Sequence, residues 1–212
     1  MNKRNYQKEL DEIINKECVG KKPTLLLHSC CAPCSSYCLE YLNQYFDITI
    51  IYYNPNISKE EEFRKRVDEL KKLLKLNNME NQVKIVVPLY DNREFFDVVK
   101  GLENEPERGK RCYVCYELRL KRTALLAKEQ GFDYFSTTLS ISPYKNAEWL
   151  NEIGERLGEE LGVKYLVSDF KKKNGYKRSI ELSEEYDLYR QDYCGCIYSQ
   201  IERNNKKNNE NN

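Results

Sequence analysis

Between Thr24 and Cys34 the chain reads TLLLHSCCAPC, an apolar run that passes directly into a group of thiols. The run from Thr24 to His28 is short, apolar and β-compatible, so it predicts a buried strand. Pro33 favours the first turn of a helix, because the N–H that proline lacks would be unpaired there. The stretch therefore predicts a strand and a helix joined by a cysteine-containing loop.

The remainder of the chain repeats this order of strand and helix. Further strands are predicted at 48–53, 83–87, 134–139 and 164–167, and the intervening helices include one capped by Ser58, one over 147–161 and a last one over 179–190. This alternation indicates a parallel sheet with helices on both faces. We expect a single α/β domain with a Rossmann-like, doubly wound parallel sheet, because 212 residues suit one sizeable core.

The two ends of the chain differ from its middle. We expect a polar leader with one short helix over 1–22, the α/β domain over 23–200, and a disordered Asn- and Lys-rich tail over 201–212. No apolar run approaches the roughly 20 residues of a membrane span, and the start of the chain lacks the apolar core of a signal peptide. These features predict a cytoplasmic protein without a membrane partner.

The nine cysteines are the strongest sign of function. In a reducing compartment grouped thiols indicate metal binding or redox chemistry rather than structural disulfides. Ligands of open α/β sheets bind beyond the carboxyl ends of the strands, which predicts a metal site there. Seven cysteines form three tight groups: Cys30, Cys31 and Cys34; Cys112 and Cys115; Cys194 and Cys196.

The spacing within each group favours a different role. Adjacent cysteines diverge in a regular element, so Cys30 and Cys31 are expected to turn toward one metal from a loop. The CxxC pair that ends at Cys115 suits zinc, an iron–sulfur cluster or a thioredoxin-like redox site. Two thiols separated by one glycine, at Cys194 and Cys196, can form a strained and labile disulfide, which favours a redox dithiol over metal ligation.

Two further features have alternative interpretations. His28 is the only histidine, which argues against a Cys/His zinc finger, and we expect it to be a hydrogen-bonded structural residue, with a role beside the metal as the alternative. The basic stretch from Lys171 to Arg178 is either a solvated loop or a clamp on phosphates.

Five motifs taken together resemble one known family, the QueH family of epoxyqueuosine reductases. They follow the family's order, and the resemblance runs from about residue 22 to residue 200. The motifs are LLLHSCCAPC (25–34), YNPNI (53–57), RCYVCY (111–116), TTL with SPYK (137–139 and 142–145), and YRQDYCGC (189–196).

This resemblance implies a fold, a reaction and a cofactor. The fold would be related to the adenine-nucleotide α-hydrolase group. The reaction would remove the epoxide oxygen of epoxyqueuosine at the wobble position of tRNA, the last step of queuosine biosynthesis, without cobalamin. The cofactor would be a [4Fe–4S] cluster with a further iron ion beside it.

Carried over by position, the resemblance also assigns roles to residues. The cluster ligands would be Cys30, Cys31, Cys112 and Cys115, and the redox-active catalytic pair would be Cys194 and Cys196. We expect the ligands of the further iron to come from Cys34, Asp169 and one member of that pair.

The partners expected are the anticodon loop of tRNA and an unidentified electron donor. The residues predicted to contact tRNA are Lys171, Lys172, Lys173, Lys177 and Arg178. Two other functions stay open at this point. One is a non-enzymatic zinc module, and the other is a cluster-dependent tRNA thiolase, which would need ATP although the sequence shows no phosphate-binding loop.

Overall fold

The computed structural model describes residues 4–210. Its five strands form one sheet, in which all pairings are parallel and the order is β3-β2-β1-β4-β5. The predicted α/β fold with a parallel, doubly wound sheet is therefore confirmed. The strands are β1 (Thr24–His28), β2 (Asp47–Ile51), β3 (Lys84–Val86), β4 (Tyr134–Thr137) and β5 (Lys164–Tyr165).

Helices cover both faces of this sheet. Along β1, Leu25 and Leu27 belong to the core cluster under α1, α2 and α3, whereas Leu26 belongs to the cluster under α5 and α6. This follows from the alternation of side chains along a strand. The helices are α1 (Tyr6–Glu17), α2 (Ala32–Leu42), α3 (Glu60–Leu76), α4 (Arg93–Val98), α5 (Lys110–Gln130), α6 (Ala147–Leu161), α7 (Gly175–Glu185) and α8 (Ile197–Glu210).

The direction of winding changes at β1. The chain moves outward through β2 and β3 on one side of β1, and then returns to place β4 and β5 on the other. The carboxyl ends of β1 and β4 therefore flank the crevice in which ligands of such sheets bind. The loop that contains Cys30 and Cys31 leaves β1 at this point.

Each terminal segment contains a helix within the described residues, α1 in the predicted leader and α8 in the predicted tail. Leu10 and Ile14 of α1 are buried in the main core cluster, so the polar leader packs on the domain. Helix α8 extends through most of the segment 201–212, for which disorder was expected. The proposed domain boundaries at 22 and 200 stay a prediction.

Several predicted boundaries shift locally. The segment predicted as the end of the fourth strand forms a short 3₁₀ helix, Thr138–Ile141. Helix α7 begins four residues before the predicted Ser179, at Gly175. Ser58 is not the cap of α3, because Lys59 occupies that position without a side-chain hydrogen bond. Within the described residues, every helix is too short or too polar to cross a membrane.

Candidate active site: a cavity lined by thiols

A cavity of about 480 Å³ opens at the carboxyl ends of β1 and β4. Its walls come from the loop after β1, from the segment after β4, and from the chain between α7 and α8 together with α8 itself. The lining includes four thiols, those of Cys30, Cys31, Cys34 and Cys194. The fold therefore brings two cysteine groups, more than 150 residues apart in sequence, to one site.

The first group is a compact triad. The sulfur atoms of Cys30, Cys31 and Cys34 all lie within 4.8 Å of one another, close enough to hold one metal ion. Cys31 is the extended N-cap residue of α2, and Pro33 lies in the first turn, as predicted. Because the loop is irregular, the two adjacent sulfurs can approach to 3.8 Å.

Hydrogen bonds from neighbouring strands hold this loop. The backbone N–H of Cys30 donates to Thr138 Oγ1, which lies just beyond β4 (3.4 Å). The Tyr52 hydroxyl donates to the carbonyl oxygen of Cys30 from beyond β2 (3.4 Å). The loop is therefore positioned by the two strands adjacent to β1.

The three thiols of the triad titrate very differently. Hydrogen bonds from Cys30 and Cys34 lower the pKa of Cys31 well below the ordinary thiol value. The hydrogen bond with Cys31 raises the pKa of Cys30 to about 12, and hydrogen bonds with Cys30 and Cys31 raise the pKa of Cys34. The triad thus favours one thiolate, the form that binds metals.

The CxxC pair lies next to this cavity, at the start of α5. Cys112 and Cys115 line a smaller adjoining cavity together with Cys194 and Cys196. Among the described residues, they fall outside the group of sulfurs that lie within 4.8 Å of one another. Because Cys194 lines both cavities, it links the two sets of thiols.

The Cys-Gly-Cys segment is held in place through its backbone. Gly195 has φ +112°, a conformation that favours glycine. Its carbonyl oxygen accepts from the Ser58 N–H (3.0 Å), and the Cys194 carbonyl oxygen accepts from Arg66 Nη1 (3.2 Å). Both cysteines of the segment are free thiols.

A buried lysine contacts the first of these two thiols. Lys145 Nζ donates to Cys194 Sγ (3.2 Å) and forms an ion pair with Glu107 (3.4 Å), and its side chain is only 8% exposed. Burial alone would raise the pKa of the Cys194 thiol, but the charges of Lys145 and Arg119 outweigh it and lower the pKa. Burial raises the pKa of Cys196 to about 12, so the two thiols are electrostatically different.

Two buried arginines face the thiols with incomplete hydrogen bonding. Arg119 is 1% exposed and Arg66 is 2% exposed. Within the part of the chain that the structure describes, the Nη2 atom of each has no hydrogen-bond partner. An unpaired buried donor is costly, and more so when it is charged. The two guanidinium groups therefore indicate that an anionic acceptor belongs in this region.

Comparison with known proteins agrees with this geometry. The family model described as "Epoxyqueuosine reductase QueH" matches residues 25–202, which include all seven grouped cysteines. The chain belongs to the QueH family. As a QueH-family protein it is an oxidoreductase.

Curated QueH relatives match over most of their length. The chain is 45% identical to epoxyqueuosine reductase QueH of Streptococcus pyogenes, with 92% of this chain and 78% of the relative aligned. It is 44% identical to the protein of the same name from Staphylococcus epidermidis, over 94% of this chain and 86% of the relative. It is 36% identical to epoxyqueuosine reductase QueH of Thermotoga maritima, over 86% of this chain and 93% of the relative.

Two sets of residues that were predicted to belong to the site do not line the cavity within the described residues: Asp169 and the cations of the basic loop. Asp169, expected at a further iron, forms an ion pair with Lys171 at 2.6 Å and is absent from the lining of the cavity within the described residues. In the basic loop, Lys173 pairs with Asp11 and Arg178 pairs with Glu40, each at 2.7 Å. The charge of this loop is therefore largely neutralised within the protein.

Sequence reasoning did not assign roles to the buried cations of this QueH-family site. Lys145 was noted only as part of the SPYK motif. Arg66 occupies the apolar stripe of α3, between Phe63 and Leu70, and a charged residue there was a detectable signal. Arg119 follows Cys115 by one helical turn, so it lies on the same face of α5.

His28 is a structural residue beside the QueH thiol loop. Its ring is fully buried, with Nε2 3.0 Å from the Tyr53 carbonyl oxygen and Nδ1 2.9 Å from Thr137 Oγ1. Since a carbonyl can only accept, Nε2 is the protonated nitrogen of the neutral ring. Burial and the nearby Arg119 charge lower the pKa of His28 to about 3.

His28 should make the protein less stable at mildly acidic pH than at neutral pH. Below its ordinary pKa of about 6.5 the unfolded chain binds a proton on His28, whereas the native ring stays neutral until about pH 3. The free energy of unfolding should therefore fall by about 1.4 kcal/mol between pH 7.5 and 5.5. Urea unfolding at pH 7.5 and at pH 5.5 measures this change in the free energy of unfolding. His28→Gln should remove this part of the pH dependence, and an unchanged difference in the variant would contradict the assignment.

Lys145 should control the reactivity of Cys194. In metal-free, reduced protein, Lys145→Gln removes the charge that lowers the pKa of Cys194, so alkylation of Cys194 by iodoacetamide should shift to higher pH and slow severalfold near pH 7. Mass spectrometry of the labelled peptide gives the rate. Lys171→Gln is the matched control, because Lys171 pairs with Asp169 and not with a thiol. Equal pH profiles for all three proteins would show that Lys145 has no such effect.

Proposed function

We propose that this chain reduces epoxyqueuosine to queuosine at the wobble position of tRNA. The observation that carries the proposal is the convergence of three cysteine groups on two adjoining cavities at the switch point of the sheet. That arrangement occurs in a member of a family whose curated relatives are named for this reaction. Such a reaction is an oxygen removal and needs redox-active groups, which the thiols can hold or supply.

The proposed cofactor is a [4Fe–4S] cluster held by Cys30, Cys31, Cys112 and Cys115. The donor set fits, because four thiols from two neighbouring groups are the usual ligands of such a cluster. The unpaired Nη2 atoms of buried Arg66 and Arg119 fit as well, since an anionic cluster would accept their hydrogen bonds. When bound, a cluster of this kind supplies electrons one at a time, at a potential set by its surroundings.

A further iron ion is proposed beside this cluster. Cys34 suits it, because its sulfur lies within 4.8 Å of the sulfurs of Cys30 and Cys31. The proposed participation of Asp169 would require its ion pair with Lys171 to open. Cys194 is the alternative thiol ligand, since it lines the same cavity as Cys34.

The proposed dithiol matches the stoichiometry of the reaction. Conversion of the epoxide to an alkene consumes two electrons and two protons and releases one water molecule. Oxidation of the Cys194 and Cys196 thiols to a disulfide releases two electrons and two protons. An external reductant, supplied by the electron donor, then restores the thiols for the next turnover.

The residues around the dithiol support its redox chemistry. The Lys145 ammonium holds a proton on Nζ, 3.2 Å from Cys194 Sγ, and its charge stabilises the thiolate that attacks or leaves during disulfide exchange. Glu107 holds this ammonium and also accepts from the Ser199 hydroxyl (3.3 Å). The Ser199 Oγ in turn accepts from the Cys194 N–H (3.1 Å). The chain thus positions one thiol of the pair through both its side chain and its backbone.

The cavity is large enough for a single nucleoside to enter. A volume of about 480 Å³ is within the usual range for small-molecule sites, and tyrosines 144, 176 and 193 contribute aromatic surface. Enzymes that modify a base within RNA act on an unstacked nucleotide. We infer that the modified base leaves the anticodon stack and enters between these rings.

Metal content and turnover together test the proposed function. Anaerobically purified protein should contain about four irons and four sulfides per chain, or slightly more iron. It should convert epoxyqueuosine to queuosine in tRNA with a chemical reductant and without ATP, as followed by mass spectrometry of nucleosides. Cys30→Ser and Cys115→Ser should lose the cluster, whereas Cys18→Ser, which changes a cysteine outside the three groups, should keep it. Zinc without sulfide, also after reconstitution, would overturn the proposal.

The dithiol has a separate test. Cys196→Ser should keep the iron and sulfide content but lose most of its turnover, the first turnover included, because no disulfide can form with Cys194 to supply the two electrons. Nucleoside analysis at limiting and at excess tRNA separates the first turnover from later ones. Full multiple turnover by Cys196→Ser would exclude the dithiol, while leaving the cluster assignment intact.

A further inference from the structure

We propose that tRNA is bound by the rim of the thiol cavity and not by the basic loop 171–178. In this arrangement Arg190 and Lys206 contact phosphates, and Tyr144 with Arg108 provides a stacking surface for an unpaired base next to the modified one. The inference rests on the proposed function, because it takes the substrate to be an RNA loop whose modified base enters the cavity.

The first argument is the charge of the cavity. The whole chain has a formal net charge of only +1, yet the cavity is lined by six cationic side chains and three carboxylates. A local excess of this kind attracts a polyanion regardless of the overall balance. The cationic residues are Arg66, Arg119, Lys145, Arg190, Arg203 and Lys206.

The second argument is that the carboxylates are already neutralised. Glu107 pairs with Lys145 (3.4 Å), and Glu202 pairs with Arg111 (2.9 Å). Asp192 pairs with Arg203 and also with Lys207 (2.9 Å). Arg66 pairs with Glu62 (2.7 Å), so among the described residues Arg119, Arg190 and Lys206 are the lining cations without a carboxylate partner.

Arg190 and Lys206 are the exposed members of this remaining set. Within the described part of the chain, neither forms an ion pair with a carboxylate. Arg190 is oriented by donating from Nη1 to Ser183 Oγ (3.0 Å), which holds the guanidinium for a bidentate contact of the kind that arginine makes with phosphate. Lys206 faces the cavity from α8, so the two cations approach it from different elements.

An exposed aromatic residue supplies the other part of the rim. Tyr144 is 58% exposed although it lines the cavity, and the Arg108 guanidinium lies 5.1 Å from the centre of its ring. Exposed aromatic and guanidinium planes of this kind stack on unpaired bases. Arg108 has φ +76°, a strained conformation for a residue other than glycine, and its N–H donates to Cys112 Sγ (3.2 Å). The stacking surface is thus attached directly to the thiol site.

The cations of the basic loop are mostly paired, although its Tyr176 lines the cavity and its Lys172 has no ion pair among the described residues. Lys171, Lys173 and Arg178 each form an ion pair at 2.6–2.7 Å, with Asp169, Asp11 and Glu40 respectively. A phosphate that bound any of these three cations would have to displace a protein carboxylate. The loop therefore offers less free positive charge than the number of its lysines suggests.

Binding of an unmodified tRNA transcript tests the inference without any redox step. Fluorescence anisotropy with the purified holoenzyme, at low salt and at about 0.2 M salt, should show that Arg190→Gln with Lys206→Gln lowers affinity at least tenfold. The slope of log affinity against log salt should decrease by about two, because two phosphate contacts are lost. Lys8→Gln with Lys16→Gln makes the same change in charge on α1, far along the chain from the rim, and should change affinity less than twofold.

Two further variant sets complete the experiment. Tyr144→Ala should lower affinity about tenfold at both salt concentrations, whereas Tyr144→Phe should retain it, since stacking needs the ring and not the hydroxyl. Lys171→Gln with Lys173→Gln represents the basic loop and should have a smaller effect than the rim pair. An equal or larger loss in the loop variant, or no loss in the rim variant, would overturn the inference.

The test of RNA binding at the rim gives a result that is independent of the test of the proposed reaction. Turnover of epoxyqueuosine in tRNA is measured on the unaltered protein. If the protein reduces epoxyqueuosine but the rim variants bind the transcript normally, only the rim assignment fails. If no reduction occurs with a loaded cluster, the proposed function fails, and the transcript titration still decides where RNA binds.

Discussion

The parallel pairing of β1 with both β2 and β4 is the constraint on which the rest of the structure depends. Because β1 is the central strand, its leucines are completely buried between two layers of helices, and its end is fixed relative to both neighbours. The winding changes direction here, which separates the loops after β1 and β4 and opens the cavity between them. The thiols of Cys30 and Cys31 are therefore placed by backbone pairing in the sheet and not by a flexible loop alone.

The electrostatics of the site follow from this placement. Thiols at the end of a buried strand are poorly solvated, which disfavours thiolates unless positive charge is close. Arg66, Arg119 and Lys145 supply that charge from three different elements, and each is nearly or fully buried. The pairing of Lys145 with Glu107 shows that part of this charge is balanced internally. The remaining positive potential is suited to an anionic cofactor in the interior and an anionic polymer at the surface.

The fold and the thiol groups could be predicted from the sequence because both are local patterns. The strand Thr24–His28 agrees with its predicted bounds, since the run is short, apolar and directly followed by the irregular cysteine loop. Thr138 and Leu139 were expected to end the fourth strand, but they begin the 3₁₀ helix Thr138–Ile141, at which the Thr137 hydroxyl accepts from the Leu139 N–H (3.1 Å). That competition between a side chain and the strand ladder depends on tertiary context, and β propensity alone does not reveal it.

The charged residues were harder to assign, because a lysine or arginine has the same appearance in sequence whether it is paired or free. The basic loop was conspicuous as a cluster of lysines, but Asp11 and Glu40, which neutralise part of it, lie more than 130 residues earlier. Conversely, Lys145 was noticed only as part of the SPYK motif, and only the fold brings it to Cys194, 49 residues later in the chain. Ion pairs between residues that are distant in sequence depend on the topology of the fold, so sequence motifs do not reveal them.

Helix α8 contributes to the cavity, although its composition is typical of a disordered tail. Ser199, Glu202, Arg203 and Lys206 all line the cavity, although most of this helix is rich in asparagine and lysine. Segments of such composition are routinely trimmed when expression boundaries are chosen for crystallisation. Trimming here to residue 200 would remove one wall of the cavity, including Glu202, the partner of buried Arg111. A protein shortened in that way could stay folded and still have an active site with a different shape and charge.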